Sequence, residues 1–173
     1  MKIGFCGTMS VGKTTLVNEL AKLPEFKDYT SRTERSKHLM DLGIPLNMDS
    51  TLKGQLIFAA ERASELLCDK ILTDRTVIDV MAFCELSSSM TANEAFYLNS
   101  ALGHLVDDYD HLFYVSPVGV KIEDNGVRET DVKYRDEINK KILSILDLRD
   151  IKYTTIQGIT EERIKTVKSV IFS

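Results

Sequence analysis

The chain has 173 residues, a hydrophobic fraction of 43%, a charged fraction of 28% and a formal net charge of −4. These values describe one globular domain, residues 1–173, large enough to enclose a core, and they exclude a disordered chain. Mild acidity disfavours a protein that coats nucleic acid, and no apolar run approaches membrane-spanning length, so neither partner is expected.

The opening "KIGFC" (Lys2–Cys6) reads as a buried strand, with no apolar region of signal-peptide length before it. It runs into Gly7, Thr8, Met9, Ser10, Val11, Gly12, Lys13, Thr14 and Thr15, which satisfy the spacing G-x-x-x-x-G-K-[ST]. Strand before and helix after are the context this spacing requires. The glycines let backbone N–H groups converge on phosphate oxygens, and the helix predicted over Lys13–Leu23 adds its positive end. Lys13 then serves the β- and γ-phosphates, and the Thr14 hydroxyl is placed to ligate Mg²⁺.

"DYTS" (Asp28–Ser31) is a short second strand, followed by "TSRTERS" and a helix ending at Gly43. Arg32, Glu34 and Arg35 are placed to meet a second substrate, arginine for a phosphate and carboxylate for a hydroxyl; a surface helix of mixed charge explains them equally well. After Pro45, Asp49 or Ser50 caps a helix running to about Leu67. Leu52, Leu56, Ala59, Ala63 and Leu66 form its expected core stripe. Gln55, Phe58 and Arg62 lie together on an adjoining face, where an amide, a ring and a guanidinium suit a nucleobase; core packing is the competing use of Phe58.

"KILTD" (Lys70–Asp74) is the third strand and opens "LTDRTVID". Asp74 is a carboxylate beside the phosphate loop, fit to hold the Mg²⁺ water shell or to accept a hydroxyl proton. Its successor is Arg75, where water-activating nucleotide hydrolases commonly carry Glu. A guanidinium there suits recognition of a second substrate, with Asp79 as a further substrate-binding candidate; a structural ion pair of Asp74 and Arg75 with Asp79 is the plain alternative. Helices follow over "TVIDVMAFCEL" and Ala92–Val106, then the strand "HLFYVS" (His111–Ser116).

The polar stretch "IEDNGVRETD" reads as a loop, and a helix is expected over Asp131–Leu148. Arg128 lies in this loop and Arg135 just after it, and a mobile segment at about 118–135 carrying them would bring positive charge to a transferring phosphoryl group while excluding water. A solvated charged helix start is the competing reading. "KYTTIQ" (Lys152–Gln157) is the fifth strand, and Thr160 caps a last helix. Strands alternating with helices imply an α/β fold of three layers around five parallel strands, with ligands beyond the strands' carboxyl ends.

Other chemistries find little support. Cys6, Cys68 and Cys84 are widely spaced and lie in apolar segments, as expected of buried thiols in a reducing cytoplasm. His38, His104 and His111 have no metal-ligand spacing. The guanine-reading N-K-x-D element is missing, since "NKKI" (Asn139–Ile142) lacks its Asp and falls within a helix.

Taken in order, "GTMSVGKTT", "SRTERS", Gln55, "DRTVID", "DNGVR" with Arg135, and "IQGITEER" resemble the P-loop nucleoside and nucleotide kinases. The resemblance spans nearly the whole chain and is strongest toward small phage and bacterial proteins near nicotinamide riboside kinase and the thymidylate or deoxynucleoside kinases. It implies the P-loop NTPase fold, ATP and Mg²⁺, a lid at Arg128, an acceptor near Arg32, Gln55 and Arg75, and an adenine bordered by Gly158 to Arg163. Two departures matter. "SRTER" lacks the R-E-P of thymidylate kinases, and "TDRT" stands where nucleoside kinases carry E-R-S. The expected activity is transfer of the γ-phosphate of ATP to a nucleoside, nucleoside monophosphate or related small molecule by a cytoplasmic enzyme, with a homodimer as one arrangement. The alternatives are a kinase acting on a modified base or end in DNA, and a nucleotide-binding regulatory ATPase without an acceptor.

Overall fold

The computed structural model describes residues 1–33, 36–120 and 132–173. Along these the chain forms β1 (Lys2–Cys6), α1 (Lys13–Ala21), β2 (Thr30–Arg32), α2 (Ser36–Asp41), α3 (Leu52–Glu65), β3 (Ile71–Asp74), α4 (Val77–Glu85), α5 (Ala92–Gly103), β4 (His111–Val115), α6 (Val132–Leu148), β5 (Thr154–Ile156) and α7 (Thr160–Ile171). The five strands make one sheet in the order β2-β3-β1-β4-β5, and every pairing is parallel. This is the α/β architecture the alternation of strands and helices predicts.

An all-parallel sheet buries both faces, so its central strands carry apolar residues on both sides. Ile3 and Phe5 of β1 join Phe113 and Val115 of β4 in a core with Leu16, Val17 and Leu20 of α1 and Val167 of α7. Cys6, Leu112 and Tyr114 point the other way, into a larger core with residues of α3, α4, α5 and α6. Phe5 and Phe113 stack at 5.4 Å across neighbouring strands, and burying each ring contributes about 2–3 kcal/mol. Gly4, between Ile3 and Phe5 on β1, faces the other side of the sheet, which is crowded: a Cβ there would meet Thr76 at 2.7 Å and the Tyr109 ring at 2.8 Å.

Element ends depart from the periodicity for local reasons. α1 stops at Ala21, and Leu23 is extended (ψ 141) ahead of Pro24, because a residue before proline avoids the helical region. Gly43 adopts φ 75 and Ile44 N–H returns to the Leu39 carbonyl at 3.1 Å, closing α2. Thr51 caps α3 by accepting the Gly54 N–H, in place of the expected Asp49 or Ser50. Thr160 is the first residue of α7, with Ile159 at the cap.

α3 corrects one member of the expected core stripe: Ala59 and Leu66 are buried and Leu52 packs against the core, but Leu56 does not. Leu56 is 47% exposed, whereas Gln55 and Arg62 are 3% and 1% exposed. Gln55 and Arg62 are thus buried beside Ala59 and Leu66, an arrangement that stands only when buried polar groups find partners. Arg62 finds them in the Asp74 carbonyl, at 3.3 Å, and the Glu65 carboxylate, at 2.7 Å. Among the described residues no helix is long and apolar enough to cross a membrane, and the three cysteines are free.

Candidate active site

The carboxyl end of β1 delivers the chain into a loop that ordinary residues could not follow. Gly7, Ser10 and Gly12 take φ values of 149, 57 and 82, and a Cβ on Gly7 would stand 2.7 Å from the Val115 carbonyl oxygen. α1 begins at once after Gly12, so its free N–H groups and positive end face the concavity. Lys13 is 5% exposed. Its Nζ donates to the Gly7 and Thr8 carbonyls at 2.6 and 2.8 Å, which folds the side chain back over the loop.

The loop is braced from outside. Arg163 of α7 donates from Nη1 to the Val11 carbonyl at 2.5 Å and from Nε to the Gly158 carbonyl at 2.9 Å. Gly158 and Arg163, expected on the nucleotide side, are thereby joined to the phosphate loop. Thr8 donates its hydroxyl to the Arg135 carbonyl at 3.0 Å, bringing the start of α6 against the same loop. Arg135 is 7% exposed. Its Nη1 donates to the Val120 carbonyl at 2.9 Å, while Nε and Nη2 have no hydrogen-bond partner among the described residues. Burial lowers the pKa of both arginines from the usual guanidinium value.

β3 pairs with β1, Asp74 opposite Phe5, so its last residue ends beside the loop. Thr14 donates its hydroxyl to Asp74 Oδ2. A hydroxyl and a carboxylate in contact at the foot of a phosphate loop form the oxygen-only donor set that suits Mg²⁺, an ion held by one or two carboxylates together with substrate phosphates. The residues fit the ion.

Arg75 follows, with φ 75. A non-glycine residue in this region costs about 1–3 kcal/mol, and the turn is held by its own N–H on the Phe5 carbonyl at 3.0 Å and by the Thr73 hydroxyl on its carbonyl. The turn carries the guanidinium over the Phe83 ring, 4.9 Å from its centroid, a favourable cation–π contact. Arg75 lines two clefts. One, of about 240 Å³, is formed with Met9, Ser10, Val11, Gly12, Lys13, Thr14 and Asp74. The second, of about 370 Å³ counting its open mouth, joins it to Gln55, Phe58, Arg62, Val80 and Phe83, with Ser36, Leu46 and Asn47 at the rim.

The second cleft gathers Gln55, Phe58 and Arg62, which their spacing puts on one face, together with Arg75. Arg62 lines it without being available to an anion, since Glu65 lies at 2.7 Å and Glu61 at 3.7 Å. Burial raises the Glu65 pKa, against the pull of Arg62. Asp79 is a correction. It lines neither cleft; it is fully buried, accepting the Gly7 N–H at 3.1 Å and the Thr76 N–H and hydroxyl at 2.8 and 3.0 Å. Arg32 is exposed at the end of β2 and Thr15 on α1; neither lines a cleft. Glu34, Arg35 and Arg128 lie outside the described residues, as does most of the expected lid.

Val80, Phe83, Leu46 and Asn47 are cleft residues that the sequence reading passes over. Phe83 lies eight positions after Arg75 in a largely apolar helix where a ring reads as core, and the turn at Arg75 brings the guanidinium over that ring as a wall of the site.

The family model of the AAA domain matches residues 2–163. No curated protein matches the sequence. Among solved structures, deoxyadenosine kinase from M. mycoides with bound dATP is similar at a TM-score of 0.67 and 15% identity, over 100% of both chains. Thymidylate kinase from Ehrlichia chaffeensis has a TM-score of 0.61 and 16% identity, over 99% of this chain and 96% of its own. NadR protein in complex with NR reaches a TM-score of 0.73 at 15% identity, with 99% of this chain covering 51% of that one. At such identities the likeness is one of fold. The chain belongs to the AAA domain family and has the P-loop fold shared by these nucleoside and nucleotide kinases.

Proposed function

We propose that the protein is an ATP-dependent kinase that transfers the γ-phosphate to a nucleoside, a nucleoside monophosphate or a related small molecule. The observation that carries this reading is the shared wall: Arg75 lines both the phosphate-loop cleft and the aromatic- and amide-lined cleft beside it. A hydrolase needs only a water molecule there, whereas a second cleft lined by an amide, two aromatic rings and a guanidinium suits an organic acceptor.

In this reading the backbone of Gly7–Lys13 holds the donor phosphates, and Lys13 leaves the Gly7 and Thr8 carbonyls for the γ-phosphate. Thr14 and Asp74 would hold Mg²⁺, which would supply positive charge to offset that of the phosphates. The acceptor oxygen forms a bond to the γ-phosphorus as the bond to the leaving ADP oxygen breaks. Asp74 is the carboxylate at that junction, as general base for the acceptor hydroxyl or as holder of the ion's water shell. Arg75, Arg128 and Arg135 stabilise the charge spread over the moving group. Gln55 reads the edge of the acceptor's base between Phe58 and Phe83, and Gly158 and Arg163 border the adenine of ATP. The likeness in fold to structures holding dATP and NR supports the assignment of nucleotide-like ligands.

The test is incubation with ATP, Mg²⁺ and separate pools of nucleosides, nucleoside monophosphates, nicotinamide riboside and modified-base DNA, with products detected by mass. A phosphorylated small molecule is expected. ATP bound or slowly hydrolysed, with no product in any pool, would overturn the kinase reading.

A further inference from the structure

The N-termini of α4 and α5 carry the same device, and the difference between them is informative. α5 opens with Thr91 and Glu94: the Glu94 Oε2 accepts the Thr91 N–H at 2.8 Å and its hydroxyl at 2.9 Å, and Thr91 Oγ1 accepts the Glu94 N–H at 3.2 Å. One carboxylate oxygen suffices for this capping box, and it stands at the protein surface. α4 opens with Thr76 and Asp79, where Asp79 Oδ2 makes the same two contacts at 2.8 and 3.0 Å. Here the second oxygen does something a cap does not require. Asp79 Oδ1 accepts the N–H of Gly7 at 3.1 Å, from a residue 72 positions earlier in the chain.

Burying a carboxylate is costly unless it is fully hydrogen-bonded, and Asp79 is 0% exposed. Helix capping alone gives no reason for that cost, since α5 is capped at the surface. What burial adds is a tie between two segments. Gly7 is the first residue of the phosphate loop, and its conformation (φ 149) is one that few residues adopt. Thr76 directly follows Arg75, whose own turn is left-handed. One carboxylate therefore fixes the start of the phosphate loop to the backbone that carries Arg75.

We infer that Asp79 is a positioning residue: it touches neither substrate, and it holds the phosphate loop and the Arg75 turn in one spacing, so that the loop's N–H groups are set for the donor phosphates before ATP arrives. The inference rests on the kinase reading given above. Asn at this position keeps the size and one acceptor, so either the Thr76 or the Gly7 bond is lost, because the amide nitrogen cannot accept an N–H.

The experiment measures MgATP affinity by calorimetry for wild type, Asp79→Asn and Thr91→Ala at a temperature where all three are folded. Asp79→Asn is expected to weaken MgATP binding by about tenfold to a hundredfold, the range expected when a site is misplaced by about an ångström. Thr91→Ala, which breaks the matching box of α5, is expected to stay within about twofold of wild type. Equal affinity of Asp79→Asn and a wild type that binds would overturn the role of Asp79 and leave the kinase reading standing. A wild type with no affinity for MgATP would overturn the kinase reading itself, and this role with it. If Asp79→Asn does not fold, amide exchange of wild-type Gly7 decides without a variant. Protection comparable to that of β1 is expected in the nucleotide-free protein, and exchange at the rate of an open chain would overturn the tie.

Discussion

The phosphate-loop cleft and the cleft beside it share Arg75 and are built on opposite principles. The loop is one run, Gly7–Thr15, and acts largely through its backbone: positive φ at Gly7, Ser10 and Gly12 and a helix that starts at Lys13. The cleft is drawn from α3, α4 and the residues before α3, and acts through side chains. A backbone site depends on which residues permit a conformation, and tolerates change elsewhere. A side-chain site depends on how helices are rotated against each other, as Arg62 and Leu56 show.

That contrast can be broken first at the loop. Lys13→Ala removes the mobile charge while leaving the loop's backbone intact, so phosphoryl transfer is expected to fall by at least about a hundredfold with the circular dichroism spectrum unchanged; a variant turning over at the wild-type rate would sink the assignment. Next is the buried foundation of the cleft. Arg62→Met leaves Glu65 buried without its partner, and a loss of about 3 kcal/mol in urea denaturation is expected; an unchanged midpoint would mean that Glu65 takes up a proton freely in the folded state.

A smaller effect sharpens the division of labour. Gln55→Leu keeps the volume of the cleft wall and removes the amide, so the acceptor KM is expected to rise by about tenfold, the cost of one hydrogen bond left unmade, with KM for ATP within a factor of about two. Equal changes in both constants would show that the two clefts are not separate. The smallest effect lies outside the site. Hydrogen bonds from the Thr91 N–H and hydroxyl hold the Glu94 carboxyl below the usual carboxylate value. Because its folded pKa is depressed, its contribution is present above the ordinary carboxylate range and is lost as pH falls through the depressed value. The Tm difference between wild type and Glu94→Gln is thus expected to be largest near neutrality and to close in acid. A gap independent of pH would rule out this linkage.

Much of the fold could be read from residues alone because strand–helix alternation and turn chemistry are local. Each strand lies within a few residues of its apolar run, and Gly43 ends α2 where a left-handed residue is required. α3 was misread because periodicity identifies a helix with two contrasting faces and does not say which face meets the sheet. Ala59 and Leu66 of the apolar stripe are buried as expected, yet Leu56 of the same stripe is exposed while Gln55 and Arg62 of the adjoining face turn inward. Asp79 was misread for a related reason: a carboxylate five positions after Asp74 looks available to a substrate until its helix is seen to cap on Thr76 and reach Gly7.

The sequence by itself determined the phosphate loop, the parallel three-layer architecture and the Asp74–Arg75 pair at the end of β3, because each is written in consecutive residues whose backbone preferences act locally. The tertiary structure alone decided that Arg75 stands between two clefts, that Phe83 is a wall of one of them, that Arg62 is neutralised by Glu65, and that Asp79 serves the loop from behind. The physical reason is that these are relations between helices rotated and packed across a sheet, and contacts between segments 72 residues apart leave no periodic trace in either segment.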